Sequence, residues 1–251
     1  MANVLILSLF FAPDGLSTAT IVSELAHDLQ NKGHSISVIA GVPHYNYESE
    51  SRASQPLQRK WGGLYYRSTY QNIPVWHTSI GLRRERGRGH MMIFLFHNFI
   101  SILLGLFAVG KQDVILVVSP PITSGLVGWV LSKLKRAKFI YNVQELHPEG
   151  YIQVGAMRRD SLVARSLFRI EGIVYRTSHA LTPICKIFAD YITEQGIPKE
   201  KIHIIPNFVD VDFLKPRTKN NPLAQEYDLV DKFVALYAGN IGLSQSFDTL
   251  L

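Results

Sequence analysis

Six consecutive residues, Gln144-Glu145-Leu146-His147-Pro148-Glu149, place two carboxylates and an imidazole within five positions. They follow KFIYNV (138–143), an apolar run of strand length, so they stand at the mouth of a buried strand. A general acid or base, or a group that hydrogen-bonds ligand hydroxyls, belongs at such a place. Glu145 and His147 are therefore the catalytic candidates, and Glu149 is a candidate binding residue.

Three further loops have the composition of ligand sites. In APDGLST (12–18), Gly15 lets the backbone approach a ligand, and Ser17 or Thr18 opens a helix whose unpaired N–H groups suit an anion. A tight strand-to-helix turn would need much the same residues. Ser119-Pro120-Pro121 gives a stiff exit from a strand, with Thr123 placed to cap the next helix; alone it reads as structural. Gly239-Asn240-Ile241-Gly242, with Ser244 as a cap, repeats the logic of strand, glycine loop and helix, again suited to a phosphate.

The elements that must position these loops alternate regularly. VLILSL (4–9) is a continuous apolar run, as in a strand buried on both faces. Ile21, Leu25 and Leu29 recur at helical spacing, Lys32-Gly33 closes that helix, and Ser35–Ala40 is a second strand. From Gly41 to Gly89 the pattern weakens to loops with short strands near 64–67 and 75–77. A helix over 91–109, a strand over 114–118, a helix from 123 to about 133 and a strand over 138–143 follow. Helices near 161–177 and 184–195 flank a strand at 180–182, and a last strand spans 201–205. This alternation predicts an α/β fold, a Rossmann-like doubly wound parallel sheet with helices on both faces.

Several classes drop out. There is no Gly-x-Gly-x-x-Gly after the first strand, no acidic residue ending the second, and no Gly-Lys-[Ser/Thr] loop, which disfavours dinucleotide binding and NTPase chemistry. One cysteine, Cys185, and scattered histidines give no zinc spacing and no intrachain disulfide, so a reducing compartment is the simpler expectation. The first residues, MANVLILSLFFAPDG, lack a basic leader and an Ala-x-Ala site and read as a strand entering a turn. A net charge of +6 favours anionic partners, without choosing among nucleotides, acidic lipid and nucleic acid.

Met91–Val109 carries no charge and nears the length of a bilayer span. His97 or Asn98, Ser101 and Gly105 recur along one side as a thin polar stripe, which fits a packed helix with a membrane-touching edge better than an isolated span. Upstream, Arg83, Arg84, Arg86 and Arg88 form a cluster able to attract anionic headgroups.

The order of these segments resembles the amino-terminal half of glycosyltransferase family 4, which has the GT-B fold of two facing Rossmann-like domains. The resemblance is carried by Phe11–Gly15 and LAHDLQNKGHSISVIAG, GVPHY (41–45), DVILVVSPP (113–121), VQELHPE (143–149), EGIVYRTSHALTPI, KIHIIPNFVDVDF and LYAGNIGLSQSFDTLL. On this reading, residues 1–215 form the acceptor-binding domain and 216–232 a linker. Residues 233–251 (FVALYA, the glycine loop and a partial helix) begin a donor-binding domain. The resemblance is greatest to transferases of bacterial surface polysaccharides. It implies a nucleotide-sugar donor and a lipid-linked or oligosaccharide acceptor, with retention of configuration and no metal or other cofactor. The other implied partner is an anionic membrane surface rather than nucleic acid, which places the protein in the cytoplasm, peripheral at the inner face of the cell membrane.

Carried onto these residues, the resemblance puts Gly15, Ser17 and Thr18 at the donor phosphates, joined from the second domain by Gly239, Asn240 and Gly242. Pro13, Ser119, Pro120 and Glu149 fall on the acceptor side. The histidine that many members carry after the fourth strand is replaced here by Ser119-Pro120-Pro121. The family's paired glutamates would fall beyond residue 251, so the chain is expected to be a fragment with little activity alone. The alternatives are a non-catalytic membrane-binding module and a sugar-nucleotide epimerase of the same architecture.

Overall fold

A computed structural model describes residues 1–43, 53–79 and 88–239. Eight strands form one sheet: β1 (Asn3–Leu7), β2 (Ser35–Gly41), β3 (Gln58–Lys60), β4 (Tyr65–Tyr70), β5 (Ile73–Thr78), β6 (Val114–Val118), β7 (Lys138–Val143) and β8 (Ala180–Pro183). Their order is β3-β4-β5-β2-β1-β6-β7-β8. From β5 to β8 every neighbouring pair is parallel, whereas β3, β4 and β5 run antiparallel at one edge. The sheet is therefore mostly, not wholly, parallel. The antiparallel edge turns on Gln71 and Asn72, both left-handed at φ 45° and 67°, which makes a two-residue hairpin loop.

The helices are α1 (Ser17–Asn31), α2 (Arg88–Phe107), α3 (Thr123–Lys135), α4 (Glu149–Gln153), α5 (Leu162–Thr177), α6 (Lys186–Glu194) and α7 (Pro222–Glu226). Alternate residues of β1 enter different cores. Val4 and Ile6 pack with Val22 and Ala26 of α1, while Leu5 and Leu7 pack with Leu104 of α2 and Leu131 of α3. Burial on both faces explains why VLIL is an unbroken apolar run.

Chain order reverses between β1 and β6. From β1 the sheet grows outward through β2 and β5, and from β6 through β7 and β8 in the opposite direction. Open α/β sheets bind ligands at such a switch point, beyond the carboxyl ends of the strands.

Small residues let α3 lie close to the sheet. A Cβ on Gly128 would stand 2.8 Å from Phe139 Cε2 and closer still to Val117, and one on Gly125 would stand 2.6 Å from Val174 Cγ2. Gly128→Val should lower stability by about 2 kcal/mol or more through overpacking. Gly110→Ala, with open space around it, should stay within about 0.5 kcal/mol. Urea midpoints of the two variants test this, and a neutral Gly128→Val would contradict the packing.

The chain divides into Met1–Asn207 and Phe208–Leu251. At the end of the first unit, the strand expected at 201–205 is only a partial one. Lys199–Lys201 make a 3₁₀ turn, and His203 and Ile205 then donate backbone N–H bonds to Leu181 and Pro183 of β8. In the second unit α7 is capped by Asn221, whose side chain accepts from Ala224 N at 3.0 Å. Residues 233–238 form no strand: among the described residues no partner strand lies beside them, and Phe233 and Leu236 are exposed.

Candidate active site

The exit of β1 is fixed by its own backbone and by one buried relay. Ala12 N donates to Ser23 Oγ at 3.0 Å and Asp14 N to Phe11 O at 3.0 Å. Gln55 Nε2 donates to Ala12 O at 3.1 Å and to Ser68 Oγ at 2.8 Å, and Ser68 Oγ lies 2.7 Å from His77 Nε2. His77 Nδ1 is 3.0 Å from the Gly41 carbonyl, which can only accept, so the proton sits on Nδ1 and Nε2 accepts from Ser68. Burial holds the His77 ring down at about 4, which keeps it neutral. Downstream, Pro13 is half-buried and Gly15 and Ser17 are exposed. Leu16 is the N-cap of α1, so Ser17 and Thr18 occupy its first turn rather than capping it. Thr123 likewise opens α3, behind Ile122 as N-cap.

The exits of β6 and β7 are tied together. Ser119 is buried, and its hydroxyl accepts from Gln144 N at 2.9 Å and Glu145 N at 3.4 Å. That hydroxyl therefore orients the loop carrying Glu145. Gln144 Nε2 donates to Asn142 Oδ1 at 2.8 Å, and Asn142 Nδ2 in turn to Thr182 O at 2.9 Å, which fixes the loop from the β8 side.

On this platform Glu145 Oε2 lies 3.0 Å from His147 Nε2, the carboxylate side chain 58% exposed and the imidazole 7%. The imidazole stacks on Tyr151, centroids 4.9 Å apart. The close approach of His147 lowers the Glu145 acid below its ordinary value, partial burial opposes this, and the charge of His147 adds to the lowering. Burial, and then the Glu145 charge, raise the Tyr151 phenol. Neither His147 Nδ1 nor His147 Nε2 has an aligned hydrogen-bond partner among the described residues, so the 3.0 Å approach of Nε2 to Glu145 is a close contact without hydrogen-bond alignment.

His147 and Tyr151 line a groove of about 350 Å³ at the switch point, together with Leu9 and Phe10 after β1 and Pro120–Thr123 after β6. The structure thus brings His147, with Glu145 against it, to the same groove as Pro120. It takes Glu149 elsewhere: both Glu149 oxygens lie within 2.6 Å of Arg159 Nη2, in a separate hollow with Phe168, Tyr191 and Gln195.

Glu171 was not singled out in the sequence. It is fully buried, its oxygens accepting from Tyr175 OH at 3.0 Å, Tyr191 OH at 3.2 Å and Gln195 Nε2 at 3.2 Å. Burial outweighs these donors and pushes the carboxyl up to about 7. It shares a helical face with Leu167, Ile170, Val174 and Tyr175, and an acid at a core position of that face was the sign available in the sequence. Among the described residues, no three His, Cys, Asp or Glu side chains cluster as metal ligands would.

Gly239 is exposed in the second unit. Asn240 and Gly242, and Arg83, Arg84 and Arg86, lie outside the described residues, and of Arg88 only the backbone at the start of α2 is described.

The sequence profile of the Glycosyl transferase 4-like domain matches residues 18–207. No curated protein sequence matches the chain. Among solved structures, the catalytic domain of starch synthase IV from Arabidopsis thaliana, bound to ADP and acarbose, is similar with a TM-score of 0.58 at 14% identity, over 84% of this chain and 52% of that one. Anabaena Alr3699/HepE in complex with UDP-glucose gives 0.54 at 13% identity, over 93% of this chain and 51% of that one. These likenesses show a GT-B-type Rossmann-like fold, and the chain spans about half the length of those proteins. The profile match takes in more than half of the sequence, and on it the chain belongs to the glycosyl transferase 4-like family.

Proposed function

We propose that the native protein transfers a sugar from a nucleotide-sugar donor to a lipid-linked saccharide acceptor in bacterial surface-polysaccharide synthesis, retaining configuration and using no metal. The observation that carries this reading is the ionised Glu145 held against His147 at the mouth of the switch-point groove. The acceptor hydroxyl, oriented by a hydrogen bond to Glu145, gives its proton to the departing phosphate oxygen as its own oxygen bonds to the sugar C1. The C1–phosphate bond breaks on the same face, and the nucleoside diphosphate leaves. Gly15, Ser17 and Thr18 at the start of α1 receive the donor phosphates, where oriented N–H groups stabilise the departing charge. The complexes of the similar structures with UDP-glucose and with ADP are consistent with such a donor. The test is NMR of the product formed by the native protein from labelled nucleotide-sugars and a lipid-linked acceptor. Label in the lipid phase with the donor's anomeric configuration supports the reading; an inverted product, or free sugar alone, refutes it.

The membrane part of this reading rests on α2. Its polar stripe faces inward: His97 and Ser101 are buried, His97 Nδ1 lying 2.6 Å from Thr78 Oγ1, and Gly105 abuts Leu131. The outward arc is apolar apart from half-buried Asn98 at its edge, with Leu95, Phe96, Phe99 and Phe107 exposed and Ile102, Leu103 and Leu106 half-buried. Nearby, Trp61 is 80% exposed and lines an apolar hollow with Phe107. Such a face suits a helix lying in a bilayer interface, and among the described residues no helix is long and apolar enough to cross one. Phe99→Asp/Phe107→Asp should abolish flotation with phosphatidylglycerol vesicles. Arg83/Arg84/Arg86/Arg88→Ala should weaken it, each arginine being worth about 1 kcal/mol at an anionic surface. Undiminished flotation of the phenylalanine variant would remove α2 from the membrane contact.

A further inference from the structure

Gln55, Ser68 and His77 are buried and form one chain of hydrogen bonds that ends on two backbone carbonyls. Those ends fix the direction of every proton in it. The Gly41 and Ala12 carbonyls can only accept, so His77 presents Nδ1–H to the first and Gln55 an amide N–H to the second. Ser68 then accepts the other Gln55 N–H and gives its own proton to His77 Nε2. Polar side chains sealed from water are costly unless each is satisfied, and packing alone would be met as well by apolar residues.

The hairpin of β4 and β5 supplies Ser68 and His77. Ser68 stands opposite Val75, two residues before His77, so both side chains share one face of the sheet. From there the relay reaches the carboxyl ends of β2 and β1, the side on which such sheets bind ligands. Those ends are also joined directly, Gly41 N donating to Leu9 O at 3.0 Å. At Ala12 both backbone polar groups are held by side chains, the N–H by Ser23 Oγ of α1 and the C=O by Gln55. Pro13 has no N–H to offer. The course of the chain from Leu9 and Phe10, in the groove wall, to Gly15 therefore rests on that clamp and on the turn bond from Asp14 N to Phe11 O.

We propose that Gln55, Ser68 and His77 are positioning residues for the donor: they set the course of residues 12–15, and with it the N–H groups at the start of α1 that receive the donor phosphates. This rests on the reading of the protein as a transferase using a nucleotide-sugar. Being buried, none of the three touches the donor. Their loss misdirects the turn and weakens donor binding, while the acceptor side, held by Ser119 through the Gln144 and Glu145 N–H groups, stays as it was.

The probe is inorganic pyrophosphate, the group common to nucleoside diphosphates, titrated calorimetrically into the native full-length protein and its variants. Ser68→Ala breaks the relay at its centre, Ser68→Thr retains the hydroxyl, and Gln55→Met keeps the side-chain length without the amide. Ser132→Ala removes a buried hydroxyl that donates to Trp129 O in α3, and is the control for a hydrogen bond lost elsewhere. Ser68→Ala and Gln55→Met should each weaken pyrophosphate binding about tenfold, the order of one lost hydrogen bond. Both should raise KM for the donor to the same extent and leave KM for the acceptor unchanged, whereas Ser68→Thr and Ser132→Ala should match the parent. Nitrogen NMR of the histidine-labelled parent should show a ring protonated at Nδ1 whose bare Nε2 resonance moves in Ser68→Ala. A parent that binds no pyrophosphate, relay variants that bind as the parent does, an equal loss in Ser132→Ala, or a His77 ring protonated at Nε2 overturns the proposal even if sugar is transferred. Relay-dependent binding in a protein that transfers no sugar supports the positioning role and refutes the transferase reading instead. The two failures are thus distinguishable.

Discussion

Glu145→Gln should reduce kcat for sugar transfer about 100-fold, with little change in KM for the donor. The magnitude follows from the state of the acid. General acid–base groups contribute roughly 10²–10⁴-fold, most when their pKa lies near the working pH. The His147 contact holds the Glu145 acid low, so it is ionised at neutral pH but a weak base. Its main contribution is then to orient the acceptor hydroxyl, and the low end of the range applies. His147→Ala gives a signature that simple misfolding does not. Without that contact the Glu145 acid rises towards its ordinary value, so the acid limb of the kcat profile moves to higher pH. An unshifted limb, or full activity in Glu145→Gln, would remove the pair from the chemistry. Arg159→Ala, acting on Glu149 in the separate hollow, should leave the limb in place.

Acid should destabilise the first unit through its buried imidazoles. His77 and His97 both lie at about 4 in the fold because burial penalises their charged forms, against about 6.5 in an unfolded chain. Their contribution is fully present above about pH 6.5 and is lost as pH falls towards 4, because over that interval the unfolded chain binds the extra protons. Each ring is worth about 3 kcal/mol across the window, and together they amount to a large part of a typical stability of about 5–15 kcal/mol. Glu171 acts in the opposite sense. Its acid is raised to about 7 in the fold, so its contribution is present at low pH and is lost as pH rises from about 4.5 through 7. Two histidines against one acid leave a net loss of about 3 kcal/mol on acidification from pH 7 to 4. Urea midpoints should therefore fall over that range, more steeply in Glu171→Gln and less steeply in His97→Gln. A flat profile in the parent would show that these groups are not buried as described.

Much of this was legible in the sequence because burial on both faces leaves a plain mark. VILVV and KFIYNV read as strands, and β6 and β7 span 114–118 and 138–143 as expected. The antiparallel edge was not legible. Its loop uses Gln71-Asn72 in left-handed conformations without the glycine that usually announces such a turn. The run at 233–238 has strand composition, but among the described residues no strand lies beside it, and a strand needs a partner for its backbone groups. Spacing showed that Glu145, His147 and Glu149 share one loop, but not that α4 begins at Glu149 and that Arg159 holds its carboxylate away from the groove. The polar stripe of α2 was visible as a periodicity. Its burial against Thr78 and Leu131, which leaves the apolar arc outward, depends on tertiary contacts.

The most direct test of the central claim is release of nucleoside diphosphate by the native protein, followed over a panel of nucleotide-sugars with and without a lipid-linked saccharide. Release from one donor that depends on the acceptor and falls about 100-fold in Glu145→Gln is the predicted result. Donor consumed equally without acceptor, recovered as its C2 epimer, or left untouched across the panel would contradict it.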